Sequence, residues 1–187
     1  MKKFMEIKVM GYREALEYVH IHKDNLQHKK YAIISIKNPN HTATLKFRKE
    51  GNCLAALNLE FSDVTPAIKL VNTRLMTMED AWKIHDFVEE IPAETETLVI
   101  HCEQGRSRSA AIAAALLLVK TGRNEQIFGN PYYTPNMYVY YNLLETYGKQ
   151  NDYWEQCYEK EKKMWSKVSV SEEQRKFVKL WEKLRDG

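Results

Sequence analysis

The chain has 187 residues, of which 44% are hydrophobic and 28% charged, with a formal net charge of +3. That length suits one domain with a real core, and the mild positive balance suits anionic ligands while falling far short of a nucleic-acid-binding signature. Three widely spaced cysteines, Cys53, Cys102 and Cys157, argue against a disulfide framework and for a reducing compartment.

Met1-Lys2-Lys3-Phe4-Met5-Glu6 carries charges but no apolar stretch of signal-peptide length. The longest uncharged apolar run, residues 110–119, is too short to cross a bilayer. A cytoplasmic protein without a membrane partner is the expectation. Residues 6–10 read as a strand, and 12–22, with Ala15, Leu16 and Val19 at helical spacing, as a helix. Residues 31–36 form a buried strand closed by Asn38-Pro39-Asn40, 43–47 a weaker strand or a loop, and 54–61 a further strand. Thr77-Met78-Glu79-Asp80 resembles a capping box opening a helix through Glu90, stopped near Pro92. Thr97-Leu98-Val99-Ile100 is a short buried strand, and the alanine-rich run 110–119 a buried helix. Pro135-Asn136 opens another helix containing Leu143 and Leu144, with Asn136 as its cap or as support for the loop before residue 110.

Strands interleaved with helices predict an α/β fold, a mainly parallel central sheet flanked by helices on both faces. From about residue 150 the chain becomes strongly charged, with Trp154, Trp165, Phe177 and Trp181 among the aromatics of two helical stretches, 152–167 and 171–185. Residues 150–187 are therefore expected to be a helical C-terminal extension packed on the domain formed by 1–149.

The chemistry concentrates in His101-Cys102-Glu103-Gln104-Gly105-Arg106-Ser107-Arg108-Ser109, between that strand and that helix. Five residues separate Cys102 from Arg108, a spacing that lets one loop curl around a tetrahedral oxyanion. Backbone N–H groups of Glu103, Gln104, Gly105, Arg106, Ser107 and Arg108, together with the helix N-terminus, point at such an anion. There the Cys102 thiol falls from about 8.5 to about 4–7 and becomes a nucleophilic thiolate. Gly105 supplies a turn residue that tolerates positive φ. Arg108 offers a two-pronged donor to two phosphoryl oxygens. Ser109 hydrogen-bonds the sulfur and helps it leave, His101 orients the loop, and Arg106 is a charge at the rim. Taken alone, a strand-end cysteine is more often a buried hydrophobe, but a core strand end has no use for two arginines and a glycine. Zinc ligation is poorly supported, because His101 and Cys102 are adjacent and no second pair follows.

His101-Cys102-x-x-Gly105-x-x-Arg108-Ser109 resembles the signature loop of the cysteine-dependent protein tyrosine and dual-specificity phosphatase superfamily, most of all its compact bacterial and phage-type members. The resemblance covers roughly residues 30–148. In the rhodanese-type sulfur-transfer loop the arginine follows one residue sooner. The resemblance implies a phosphomonoester hydrolase working through a phosphocysteine intermediate, with Cys102, Arg108, Asp63 and Ser109 as catalytic residues and no cofactor or metal. Asp63, 39 positions before Cys102, is the implied general acid. Its alternative is a turn cap before Pro66, and Glu60 is the fallback acid. Related proteins often carry two aspartates here, whereas this chain has Ser62 in the first place. The partner implied is a phosphorylated protein or another phosphomonoester, with lipid, nucleotide and RNA phosphates left open. Tyr132, Tyr133 and residues 69–73 are candidates for the rim. The rival reading is a non-catalytic phosphate-binding module, and sulfur transfer ranks last.

Overall fold

Apolar strands without alternation need cover on both faces, and the fold provides it. The protein, described by a computed structural model, is defined for residues 5–23, 29–39, 46–65 and 73–149. Residues 43–45, 69–72 and the expected extension 150–187, Cys157 included, lie outside the described residues. The elements run β1 (Glu6–Met10), α1 (Tyr12–His22), β2 (Tyr31–Lys37), β3 (Cys53–Glu60), α2 (Met78–Glu90), β4 (Thr97–His101), α3 (Arg108–Thr121), α4 (Glu125–Phe128) and α5 (Met137–Thr146). Four strands pair in the order β1-β4-β2-β3, all parallel.

Side chains alternate across this sheet with period two. Ala32, Ile34, Ile36, Leu98 and Ile100 face one core, shared with α2, α3 and α5. Tyr31, Ile33 and Val99 face the other, covered by Ala15 of α1 and by Phe47. Register levels the strand ends: His101 stands opposite Met10 of β1 and Ser35 of β2. The loops leaving β1, β2, β3 and β4 therefore emerge along one edge, where open parallel sheets bind ligands.

The central helix is α3, which packs on β1, β4 and α5. Its residues from Arg108 to Leu117 are all buried, and the alanines let backbone approach backbone. A helix apolar on every side is one enclosed on every side. It begins two residues before the expected 110, so Arg108 and Ser109 occupy its first turn. It ends at Gly122, whose φ of 73° admits the left-handed cap, with its N–H bonded to Leu118 O. The four-residue α4 has no counterpart in the sequence expectations.

The capping box of α2 also governs the loop after β3. Thr77 Oγ1 accepts from the Asp80 N–H at 3.2 Å, and Asp80 Oδ2 accepts from the Thr77 N–H at 2.9 Å. Asp80, buried, pairs through the same carboxylate with Arg74 Nη2 at 2.9 Å. Arg74 in turn exchanges two bonds with Ser62: its N–H donates to Ser62 Oγ at 3.2 Å, and the Ser62 N–H donates to Arg74 O at 2.7 Å. Ser62 thus clamps the loop that presents Asp63. Thr77→Ala should cost about 1 kcal/mol of folding stability, measured by urea denaturation. An unchanged midpoint would show that the cap contributes nothing.

Candidate active site

β4 carries the chain to the open edge at Cys102, residues 102–107 form the loop, and α3 starts at Arg108. Gly105 adopts φ of 72°, and a Cβ there would lie 2.5 Å from both Gly11 N and Met10 C. The loop is thus pressed against the backbone where β1 turns into α1, and only glycine fits. It is gripped from two sides. The Tyr12 N–H donates to Glu103 O at 3.1 Å, the Thr134 N–H to Arg106 O at 2.9 Å, and the Asn136 N–H to Ser107 O at 3.4 Å. Each grip uses a loop carbonyl, so none of them consumes a loop N–H. That is the arrangement an anion-binding ring of amides requires.

Cys102 is 2% exposed, and its Sγ lies 3.1 Å from Ser109 Oγ. Burial pushes its thiol up, but hydrogen bonds from the Ser109 hydroxyl and N–H, the Arg108 charge and the Gly105 N–H outweigh it. The net direction is below the ordinary thiol value. Arg108, also 2% exposed, donates from Nη1 to Asn38 Oδ1 at 2.9 Å and to Phe61 O at 2.6 Å. Its Nε is buried with no hydrogen-bond partner among the described residues, and Asp63 Oδ2 stands 3.9 Å away. His101 is buried between Phe47 and Tyr12, with ring centroids 4.9 and 5.9 Å away. Its Nδ1 is 3.3 Å from Cys102 O, and burial pushes its pKa down to about 4. A neutral ring whose Nδ1–H donates to that carbonyl orients the strand end.

Asp63 turns toward the loop. Its Oδ1 accepts from Ser107 Oγ at 2.7 Å and from Asn136 Nδ2 at 2.9 Å, partners a mere turn cap would not have. Glu60 pairs with Lys37 at 2.7 Å on the sheet and stays out of the site. Arg106 is exposed, as expected, but it is fixed: Nε donates to Tyr132 O at 2.9 Å, and the guanidinium lies 5.2 Å from the Tyr132 ring centroid.

These groups surround a cavity of about 630 Å³. Cys102, Asp63, Arg108 and the loop line it, whereas Tyr132 and Tyr133 do not. Thr134, Pro135 and Met137 form that wall instead. Among the described residues there is no group of three or more His, Cys, Asp or Glu side chains able to hold a metal ion, and no helix is long and apolar enough to cross a membrane. Two positions escaped sequence reading. Asn38 holds Arg108 by Oδ1 and, by Nδ2, Glu103 Oε2 at 2.6 Å. Gly11 lies against the loop: a Cβ there would meet the Gln104 backbone at 3.4 Å, an ordinary contact, while its own N sits 2.5 Å from where a Cβ on Gly105 would be. A glycine between strand and helix was the available signal for Gly11. Asn38 looked like a turn residue.

Level strand ends, an arginine-bearing helix N-terminus and a cysteine at the start of the loop define an α/β protein with a cysteine-centred loop at the open edge of its sheet. No protein-family model and no curated protein matches the chain, but solved structures do. The structure of DUSP15 matches with a TM-score of 0.51 at 20% identity, over 78% of this chain and 85% of that one. Tk-PTP in its active form gives 0.48 at 18% identity, over 78% and 95%. The human tyrosine phosphatase-like serine/threonine/tyrosine-interacting protein gives 0.46 at 19% identity, over 75% and 85%. The chain has the fold of the cysteine-dependent protein tyrosine and dual-specificity phosphatase superfamily.

The Cys102 thiol should react with iodoacetamide at a pH below that of an ordinary thiol, and inorganic phosphate should protect it. Ser109→Ala removes a donor to the sulfur anion, so its midpoint should move up. A midpoint in Ser109→Ala equal to wild type would show that the hydroxyl does not hold the thiolate.

Proposed function

We propose that the protein is a phosphomonoester hydrolase of the protein tyrosine or dual-specificity kind. The observation that carries this reading is the pairing of a buried thiol, held below its ordinary pKa, with a buried guanidinium whose Nε makes no hydrogen bond among the described residues.

Arg108 and the loop amides bind three oxygens of the phosphoryl group, and Cys102 Sγ attacks phosphorus from beneath. As the P–O bond to the leaving group breaks, Asp63 gives its proton to that oxygen, and a phosphocysteine forms. Water then attacks phosphorus and gives a proton to Asp63, while the S–P bond breaks and the electron pair returns to sulfur. Ser109, 3.1 Å from the sulfur, stabilises that thiolate as it leaves. Positioning and charge stabilisation are what a loose phosphoryl transition state asks of a protein.

Cys53 is buried and its thiol pushed up to about 11 by that burial, so it takes no part. Free Cys53 and Cys102 suit a reducing compartment, and the cytoplasm is the proposed location. A phosphorylated protein is the proposed substrate. The apolar wall of Pro135 and Met137 favours a phosphate carried on an apolar or aromatic group.

Cys102→Ser should abolish hydrolysis of p-nitrophenyl phosphate and of a phosphotyrosine peptide alike. Asp63→Asn should cost about 10²-fold or more on the peptide and far less on p-nitrophenyl phosphate, whose leaving group departs without a proton. Equal losses on both substrates would remove Asp63 from the acid's role. Phosphopeptide binding without turnover would favour a binding module.

A further inference from the structure

Asn136 does more than start α5. Its Oδ1 accepts from the Val139 N–H at 3.3 Å, which is the helix cap. Its Nδ2 donates to Asp63 Oδ1 at 2.9 Å and to Val64 O at 3.3 Å. Both ends of the carboxamide are committed. Flipping it would set oxygen against oxygen on one side and N–H against N–H on the other, so its orientation is fixed by its partners. Asn136 is 7% exposed.

The consequence falls on Asp63. Ser107 Oγ and Asn136 Nδ2 both donate to Oδ1, filling that oxygen's share of acceptor sites. Oδ2 faces the Arg108 guanidinium at 3.9 Å. We infer that Asn136 is a positioning residue for the acid–base step: with Ser107 it reserves Oδ1 and presents Oδ2 as the oxygen that exchanges the proton with the leaving group. This rests on the phosphatase reading above.

The charged surroundings of Asp63 allow a test by pH. Arg108 approaches Asp63 from α3, and Cys102, Glu103 and Arg106 line the same cavity from the loop. Among the residues lining that cavity, α5 contributes no charged group. Asn136→Asp keeps a good helix cap but replaces the donor with a second carboxylate beside Oδ1. That carboxylate opposes loss of the Asp63 proton. The alkaline limb of the kcat/KM profile, where the acid must still be protonated, should therefore move up by roughly one pH unit. Asn136→Ser also keeps a cap but cannot span to Asp63. It should cost roughly tenfold on phenyl phosphate and much less on p-nitrophenyl phosphate.

The full-length chain is assayed on both aryl phosphates, alone and in an Asp63→Asn background, with thermal melts to confirm folding. Asn136→Ser should add nothing once Asp63 is gone, because it acts through that residue. An unmoved alkaline limb in folded Asn136→Asp, or an equal cost of Asn136→Ser with and without the Asp63 carboxyl, would overturn the assignment while leaving the phosphatase intact. A wild-type chain without turnover, or without dependence on Asp63, would instead bring down the underlying reading and this one with it.

Discussion

A guanidinium with 2% exposure at the head of a buried helix is the demand that the rest of this site answers. An unpaired buried charge is costly, so Arg108 must find acceptors before α3 can pack. It finds them on two different strand ends: Asn38 after β2 and Phe61 after β3. Those ends can meet α3 only because β2 lies between β4 and β3 in the sheet. The strand order is thus what makes a charged residue affordable in the core. Both anchors are neutral, an amide and a main-chain carbonyl, so they hold the guanidinium without cancelling its charge. That charge is left to face the Cys102 sulfur, the Asp63 carboxylate and, in the proposed mechanism, an incoming oxyanion.

The same economy runs through the loop. Backbone grips from Tyr12, Thr134 and Asn136 all fall on carbonyls, and the close approach of Gly105 to Met10 and Gly11 fixes the curl by sterics rather than by hydrogen bonds. Rigidity is supplied from outside without drawing on the loop N–H groups, which leaves those donors for the proposed ligand. On the other flank, a chain of contacts from Thr77 through Asp80, Arg74 and Ser62 fixes the loop that carries Asp63. A helix cap remote from the sulfur therefore bears on where the proposed acid sits.

Much of this was legible in the chain itself because its signals are local. Strands β1, β2 and β4, helix α2 with its Thr77 cap, and the Cys102–Arg108 spacing each declare themselves within a few consecutive residues. Asp63 was visible as a candidate, but only Ser107 and Asn136, 44 and 73 positions away, distinguish it from a turn cap. Asn38 was read as turn chemistry beside Pro39, since its bond to Arg108 spans 70 positions and exists only through the sheet order. Helix α4, four residues long, offers no periodicity to detect. Tyr132 and Tyr133 were candidates for the rim, whereas the cavity wall is formed by Thr134, Pro135 and Met137, with Tyr132 packed on the cavity-lining Arg106.

Enclosing His101 between Phe47 and Tyr12 links the fold to acidity. In the folded protein the ring resists protonation down to about pH 4, whereas in an unfolded chain it takes up a proton near pH 6.5. Between those values only the denatured ensemble gains the proton, so acidification draws molecules toward it. The contribution of this ring to stability is complete above about pH 6.5, is withdrawn progressively as the medium approaches pH 4, and changes no further below that. Mild acid should thus lower the stability of the fold as a whole through an imidazole that takes no part in the proposed chemistry.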